Sequence, residues 1–296
     1  MDWDKLRIFH MVAKAGSFTH AGETLNLSQS AVSRHISSFE EDLGLTLFHR
    51  HARGLVLTEQ GALLFKASTE IFSQMMAIEG QLSDARHSTE GDLSVTLPEF
   101  LGTSWLGPQI GAFHDMHPEI RLTLMLDDRI FNLGLREADA AIRLYKPEQS
   151  ELIQRHLAAI SLVICASKNY LDRNGTPKKL ADLQKHTMIG YPKQALVPYS
   201  KPNWLFERAD IEVENNHNLI LLNSVSTIRQ AIASGAGIGV IPKFMFEATK
   251  GLVQILPDYT PPSVDMYFVY PDDRRHSKRI AVFRDFLMEQ VAKTEF

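Results

Sequence analysis

One cysteine, Cys165, is all that 296 residues contain, so no disulfide can form within the chain. Long apolar runs are also missing. None approaches the ~20 residues that a helix needs to cross a bilayer. Positive charge is not in excess: 31 Lys+Arg stand against 35 Asp+Glu, a formal net charge of −4. Any surface for a polyanion must therefore be local. The start, MDWDKLRIFHMV, lacks the basic head and apolar core of a signal peptide. These absences together predict a cytoplasmic protein with no membrane partner. Catalytic signatures are scarce too, with no GxSxG, HExxH or Walker loop. Asp127-Asp128 have no partner that would mark acid–base chemistry. GAGIGV at 235–240 superficially looks like a dinucleotide loop, but it follows a helix and leads into a strand, the reverse of that fingerprint. His114 and His117 lack the further ligands of a zinc site. Cys165 sits in the apolar run LVICAS and reads as a buried strand residue. No enzyme activity, cofactor or metal is expected.

The first 90 residues read almost entirely as helix. One helix spans about 4–15 and stops at Gly16. Ser17 can cap a second, and Asn26-Leu27 makes a tight turn. Ser28 can cap a third, on which Val32, Ile36, Phe39 and Leu43 recur at spacings of 4, 3 and 4 as a buried stripe. Leu47-Phe48, the polar tip HRHARG and LVLT then form a small β-wing. Thr58 opens a long helix to about residue 88. Along it Ile71, Met75, Ile78, Leu82 and Ala85 form an a/d seam suited to a second chain, the alternative being a helix packed on its own domain.

On the third helix Ser30, Arg34 and Ser37 face away from the buried stripe, with Ser33 beside them. Short polar side chains let a helix approach base edges, and a guanidinium can pair with guanine or clamp phosphate. Two helices joined by a tight turn, the second with such a face, form a helix-turn-helix. The plain alternative is a solvated helix face. Residues 1–88 hold eight basic and ten acidic residues, and 40–42 are Glu-Glu-Asp. Charge alone does not choose between the two.

After Glu90-Gly91 the pattern changes. Strand-like and helix-like segments alternate: DLSVTL, WLGPQIGAFHDMH, IRLTLML, a helical FNLGLREA, AAIRL and LAAISLVICAS. The alternation continues through a helix near 177–183, TMIGY, HNLILLN, a helix at 225–234, GIGVIP, LVQILP, VDMYFVYP and a helix at 276–292. This predicts βαβ units and a mostly parallel sheet.

GSFTHAGETLNLSQSAVSRHISSFEEDLGLTLFHR with GLVLTEQG resembles the winged helix-turn-helix of LysR-type transcriptional regulators, a bacterial family. Matching positions include Ala21, Leu27-Ser28-Gln29, Ala31-Val32-Ser33-Arg34, Leu47-Phe48, Arg50 and Gly61. The resemblance implies that Gln29, Ser30, Ser33, Arg34 and Ser37 read promoter DNA while Arg50 and Arg53 hold phosphate. Two positions depart from the family pattern. Ser30 stands where proline is usual, and Phe39 where leucine is usual. The rest of the chain resembles, more loosely, the family's two-lobed effector domain of periplasmic-binding-protein architecture. The fold class implied is a multidomain α+β chain. A winged helix-turn-helix occupies 1–58, a linker and dimerisation helix 59–90, and an effector domain 91–296. Its lobe one is 91–161 plus 268–296, and lobe two is 162–267.

The same resemblance places a small-molecule effector between the lobes. Pro98, Glu99, Phe100, Thr103 and Ser104 would line the turn after the first strand, joined by Asp128, Arg143, Tyr145, Trp204, Ser224 and Phe244. In many members that turn holds an anion. A carboxylate at Glu99 disfavours an acidic ligand unless it pairs with a base such as Arg143, and a cationic, amide or sugar-like effector then fits better. Glu99 could also point outward. Implied partners are double-stranded promoter DNA, the effector, RNA polymerase and further copies of the chain in a homodimer or homotetramer. The competing class is a solute-binding or enzymatic α/β protein with an incidental helical N-terminus. Salt-dependent DNA binding separates the two.

Overall fold

The computed structural model describes residues 2–51, 54–84, 89–213 and 216–296. The chain divides into two compact units, Met1–Leu82 and Ser83–Phe296.

The first unit opens with α1 (Trp3–Ala15), α2 (Phe18–Leu25) and α3 (Gln29–Leu43). Each begins where a side chain satisfies an orphan amide: Asp2 accepts from Asp4 N–H, Ser17 from His20 N–H, Ser28 from Ala31 N–H. Gly16 and Gly44 end α1 and α3 with positive φ, and Asn26 does the same for α2 at φ 54°. Phe9, Val12, Ala21, Val32, Ile36, Phe39 and Leu47 close the core. Burying a side chain such as Ile36 or Phe39 contributes about 1.5–3 kcal/mol. The wing is the antiparallel pair β1 (Phe48–His51) and β2 (Gly54–Leu57). Thr58 starts α4 (Glu59–Asp84) by accepting from Gly61 N–H. A Cβ on Gly61 would sit 2.1 Å from the Leu47 carbonyl oxygen, so only glycine lets α4 approach the wing this closely. The first half of α4 packs on α1 through Trp3–Phe72 and His10–Phe65 ring contacts. Ile71, Met75 and Ile78 stay 40%, 41% and 57% exposed. The Leu82 side chain and Ala85 lie outside the described residues.

In the second unit β3 (Gly91–Leu97) runs into α5 (Glu99–Leu101), a π-turn at Gly102–Leu106, a short 3-10 turn and α6 (Ile110–Met116). β4 (Ile120–Leu126), β5 (Ala140–Arg143) and β6 (Leu152–Ile160) follow. Then come β7 (Leu162–Ser167), α7 (Lys168–Asn174), β8 (Met188–Gly190), α8 (Trp204–Arg208) and β9 (Leu219–Leu221). α9 (Val225–Ala233), β10 (Gly239–Pro242), α10 (Lys243–Glu247), β11 (Leu252–Gln254), β12 (Val264–Pro271) and α11 (Lys278–Ala292) complete it. Lobe one is a five-stranded sheet in the order β4-β3-β5-β12-β6. Lobe two holds β10-β7-β11 and β8-β9, which a bridge between Met188 and Ile238 connects.

Five sequence expectations change here. The sheets are mixed, not mostly parallel: β3 is parallel to β4 and β5, but β12 is antiparallel to β5 and β6, as are β10 and β11 to β7. FNLGLREA is a run of turns, because Asn132 Oδ1 accepts from Leu135 N–H and Arg136 takes φ 55°. The helix near 177–183 is a 3-10 segment at Leu180–Lys185. β12 rejoins lobe one from Val264, four residues before the expected 268. LAAISLVICAS is two strands on two sheets, divided at Ser161, where the chain first crosses between lobes.

Candidate functional site

In the first unit the stripe Val32, Ile36 and Phe39 is fully buried and fixes which face of α3 looks outward. Gln29, Ser30 and Arg34 are exposed on that outer face, with Ser33 and Ser37 half-buried at its edges. Ser28 Oγ caps the helix and lies 3.0 Å from Ser30 Oγ, so a serine in the place usual for proline joins the cap instead of rigidifying it. Arg53 and the Arg50 side chain lie outside the described residues.

The acids at 40–42, a repulsive feature on paper, are largely engaged. Glu40 Oε1 accepts the backbone N–H of Leu47 at 2.6 Å and of Phe48 at 3.2 Å, pinning the wing to α3. Asp42 pairs with Lys5 Nζ at 2.6 Å, and the same ammonium donates to Ser38 Oγ. Sequence reasoning missed Glu40 and Lys5 because their partners lie in other elements.

In the second unit a cavity of about 310 Å³ opens between the lobes at the C-terminal ends of β3 and β5. Of the sequence candidates, Pro98, Asp128, Arg143 and Tyr145 line it, together with Arg129 and the 197–200 segment carrying Tyr199 and Ser200. That segment was not anticipated, although YPKQALVPYSKP is a proline-punctuated loop just after β8, where α/β ligands gather. A wider groove of about 820 Å³ adjoins it and shares Tyr145, Tyr199 and Ser200. Trp204 lines this groove, its indole stacked on Tyr259 at 5.8 Å.

Arg143 is only 6% exposed, and its guanidinium donates to Phe131 O at 2.9 Å and Gln149 Oε1 at 3.3 Å. It lies over the Tyr145 ring and forms no ion pair among the described residues. Burial pulls its pKa down from the ordinary arginine value. Burial likewise pushes the Asp128 carboxyl above its usual range, against the opposing pull of the Glu99 N–H that it accepts. Burial drives the Tyr199 phenol up to about 12.

The remaining candidates do not line the 310 Å³ cavity. Phe100 is 2% exposed and stacks on Phe244 at 6.4 Å, so these rings belong to the apolar contact between lobes. Thr103 and Ser104 sit on the π-turn, and the Thr103 hydroxyl is spent on the Glu99 carbonyl oxygen. No Glu99–Arg143 pair, the condition under which an acidic ligand would still fit, is formed among the described residues. Glu99 instead crosses to lobe two, where its carboxylate accepts from Ser226 Oγ at 2.9 Å and Ser224 Oγ at 3.3 Å. Ser224 also caps α9 by accepting from Thr227 N–H. Cys165 is buried and its thiol is pushed up to about 12, which leaves no thiolate at neutral pH.

Residues 3–62 match the bacterial regulatory helix-turn-helix proteins of the lysR family, and residues 86–292 match the LysR substrate binding domain. The chain is 31% identical to the HTH-type transcriptional regulator CrgA of Neisseria meningitidis over 296 residues, covering 97% of this chain and 96% of that protein. It is 29% identical to the HTH-type transcriptional regulator PtxR of Pseudomonas aeruginosa, covering 100% of this chain and 95% of that one. The solved structure of CrgA superimposes with a TM-score of 0.58 at 29% identity, over 98% of this chain and 99% of that chain. The full-length Vibrio cholerae virulence activator AphB shares the fold, with a TM-score of 0.64 at 23% identity, over 98% and 99% of the two chains. No helix among the described residues is long and apolar enough to cross a membrane. A capped helix-turn-helix with a β-wing, followed by a two-lobed domain with a pocket between its sheets, agrees with both matches, and the chain belongs to the LysR family of transcriptional regulators, with an N-terminal DNA-binding domain and a C-terminal effector-binding domain.

Proposed function

We propose that the protein is a cytoplasmic, non-enzymatic regulator that reads promoter DNA with Gln29, Ser30, Ser33, Arg34 and Ser37. Arg50 and Arg53 of the wing would hold backbone phosphate. The observation that carries this is the outer face of α3: it presents short polar groups and one guanidinium, while its opposite stripe is locked in the core. Residues 1–58 would form the DNA-binding domain, 59–90 the linker and 91–296 the sensor. The exposed Ile71, Met75 and Ile78 support pairing of two chains along α4, which would set the distance between two recognition helices on a palindromic site. Assembly to a tetramer and contact with RNA polymerase belong to the same reading.

The effector would be a small molecule in the inter-lobe cavity, where the buried guanidinium of Arg143 forms no ion pair among the described residues, though Asp128 lines the same cavity. Desolvating such a charge is costly unless a counter-charge arrives, so the pocket favours a ligand with one acidic group. Genome-wide occupancy of the wild type beside Arg34→Ala tests the DNA reading. Discrete promoter peaks that vanish in the variant are expected. Peaks unchanged in the variant would remove α3 from the reading role.

A further inference from the structure

His10 stands on α1 and is buried against α4, with 8% of the residue exposed. Three α4 residues on one helix face form its seat. The ring lies 5.3 Å from that of Phe65 and 4.7 Å from that of Phe72, tilted 32° to each. Nδ1 lies 3.0 Å from Ser68 Oγ, and Ser68 is fully buried. The Ser68 hydroxyl has one proton and donates it to the Phe65 carbonyl oxygen at 2.9 Å. Its oxygen must therefore accept from His10, which puts the proton of the neutral ring on Nδ1 and the lone pair on Nε2. A second proton has only Nε2 to go to. On α1, Lys14 lies one turn on and opposes a positive ring, while Arg7 one turn back is exposed and 3.7 Å from Asp4. On α4 the charged residues nearest Ser68 in sequence are Lys66 and Glu70; both are exposed and, by the helix period, point away from it. No carboxylate among the described residues meets the ring. Burial first, then Lys14, lowers its pKa from the ordinary 6.5.

We propose that His10 is a positioning residue and an acid-sensitive joint between α1 and α4: the neutral ring holds the linker helix on the DNA-binding unit, and a second proton on Nε2 releases it. Trp3 stacks on the same Phe72 at 4.9 Å, so the far end of α1 is fastened to this seat as well. The folded ring takes its second proton below 6.5, so the joint is at full strength above that pH and weakens as pH falls from 6.5 toward the folded value. The joint lies inside the first unit and owes nothing to an effector.

The test is amide hydrogen exchange of the full-length protein at pH 7.5, 6.5 and 5.5, corrected for the intrinsic effect of pH and read by mass spectrometry on peptides covering 3–15 and 59–72. His10→Gln keeps a donor for Ser68 and cannot titrate. The other histidines are common to both proteins, so their titration cancels. Opening of these peptides should rise several-fold toward pH 5.5 in wild type and stay level in His10→Gln. The ceiling for a ring that stays neutral when folded is about tenfold over this range. If His10→Gln does not fold, His10→Phe, apolar between two phenyl rings, takes its place with the same expectation. Parallel exchange in wild type and variant, or a wild type better protected in acid, would overturn the proposal. Fluorescence anisotropy with a promoter duplex over the same pH range reads the consequence for DNA, which rests on α4 as the pairing helix. Affinity should fall several-fold more in wild type than in His10→Gln. Divergent exchange beside parallel affinities would uphold the joint and count against the pairing role of α4.

Discussion

Removing an acid close to a DNA-reading helix should, on charge alone, tighten DNA binding. Glu40→Ala is expected to do the opposite. The Glu40 carboxylate is half-buried and holds the amides of Leu47 and Phe48, where α3 meets the wing. A hydrogen bond to a charged acceptor contributes about 1.5–3 kcal/mol. One of the two is long and the site is partly wet, so the pair is worth about 3 kcal/mol. The unit holding it is Met1–Leu82. At this size each kcal/mol moves the melting temperature by about 4–8 °C, which gives a loss of about 12–24 °C for this unit. The electrostatic gain from one exposed charge is smaller, roughly 0.2–1 kcal/mol. Melting followed by circular dichroism, with titration of a promoter duplex below the transition, measures both effects. Glu41→Ala, an exposed neighbour, is the charge-matched control. If Glu40→Ala melts with the wild type and binds DNA more tightly than Glu41→Ala, the wing-pinning role is wrong.

Three other outcomes follow from named contacts. Replacing Ile71, Met75 and Ile78 together by serine should yield monomers in analytical ultracentrifugation, and an unchanged oligomer mass would place the chain-pairing surface elsewhere. Cys165, with its thiol at about 12, should resist iodoacetamide in the native state; prompt labelling of the folded protein near pH 8 would contradict its burial. Asp128 has a raised folded pKa, so its contribution to stability is greatest below the ordinary 3.8 and is lost as pH rises through the folded value. Asp128→Asn keeps an acceptor for the Glu99 N–H and should melt higher than wild type near neutral pH. That advantage should fade below about pH 4, and a variant less stable at neutral pH would show that the ionised form is favoured.

The helix-turn-helix was legible because its signals are local. Ser28 caps within three residues, Gly44 ends the same helix, and Val32, Ile36 and Phe39 are spaced by the helical repeat. The fate of FNLGLREA was harder to read, because an Asn132 side-chain bond and a left-handed Arg136 override an apolar pattern that fits a helix. Strand direction was not written in the alternation either. β12 pairs with β5 and β6, and apolar alternation is identical for a strand run either way.

The sequence by itself determined the family, the outward face of α3 and the exposed row on α4, since each depends on residues within a few helical turns. Only the tertiary structure decided what the charged groups do. Glu99 meets Ser224 and Ser226 across 125 and 127 residues, Glu40 turns back to the wing, and Arg143 is buried with no ion pair among the described residues. A charge takes its role from its partner and its solvation, and folding brings both from distant parts of the chain.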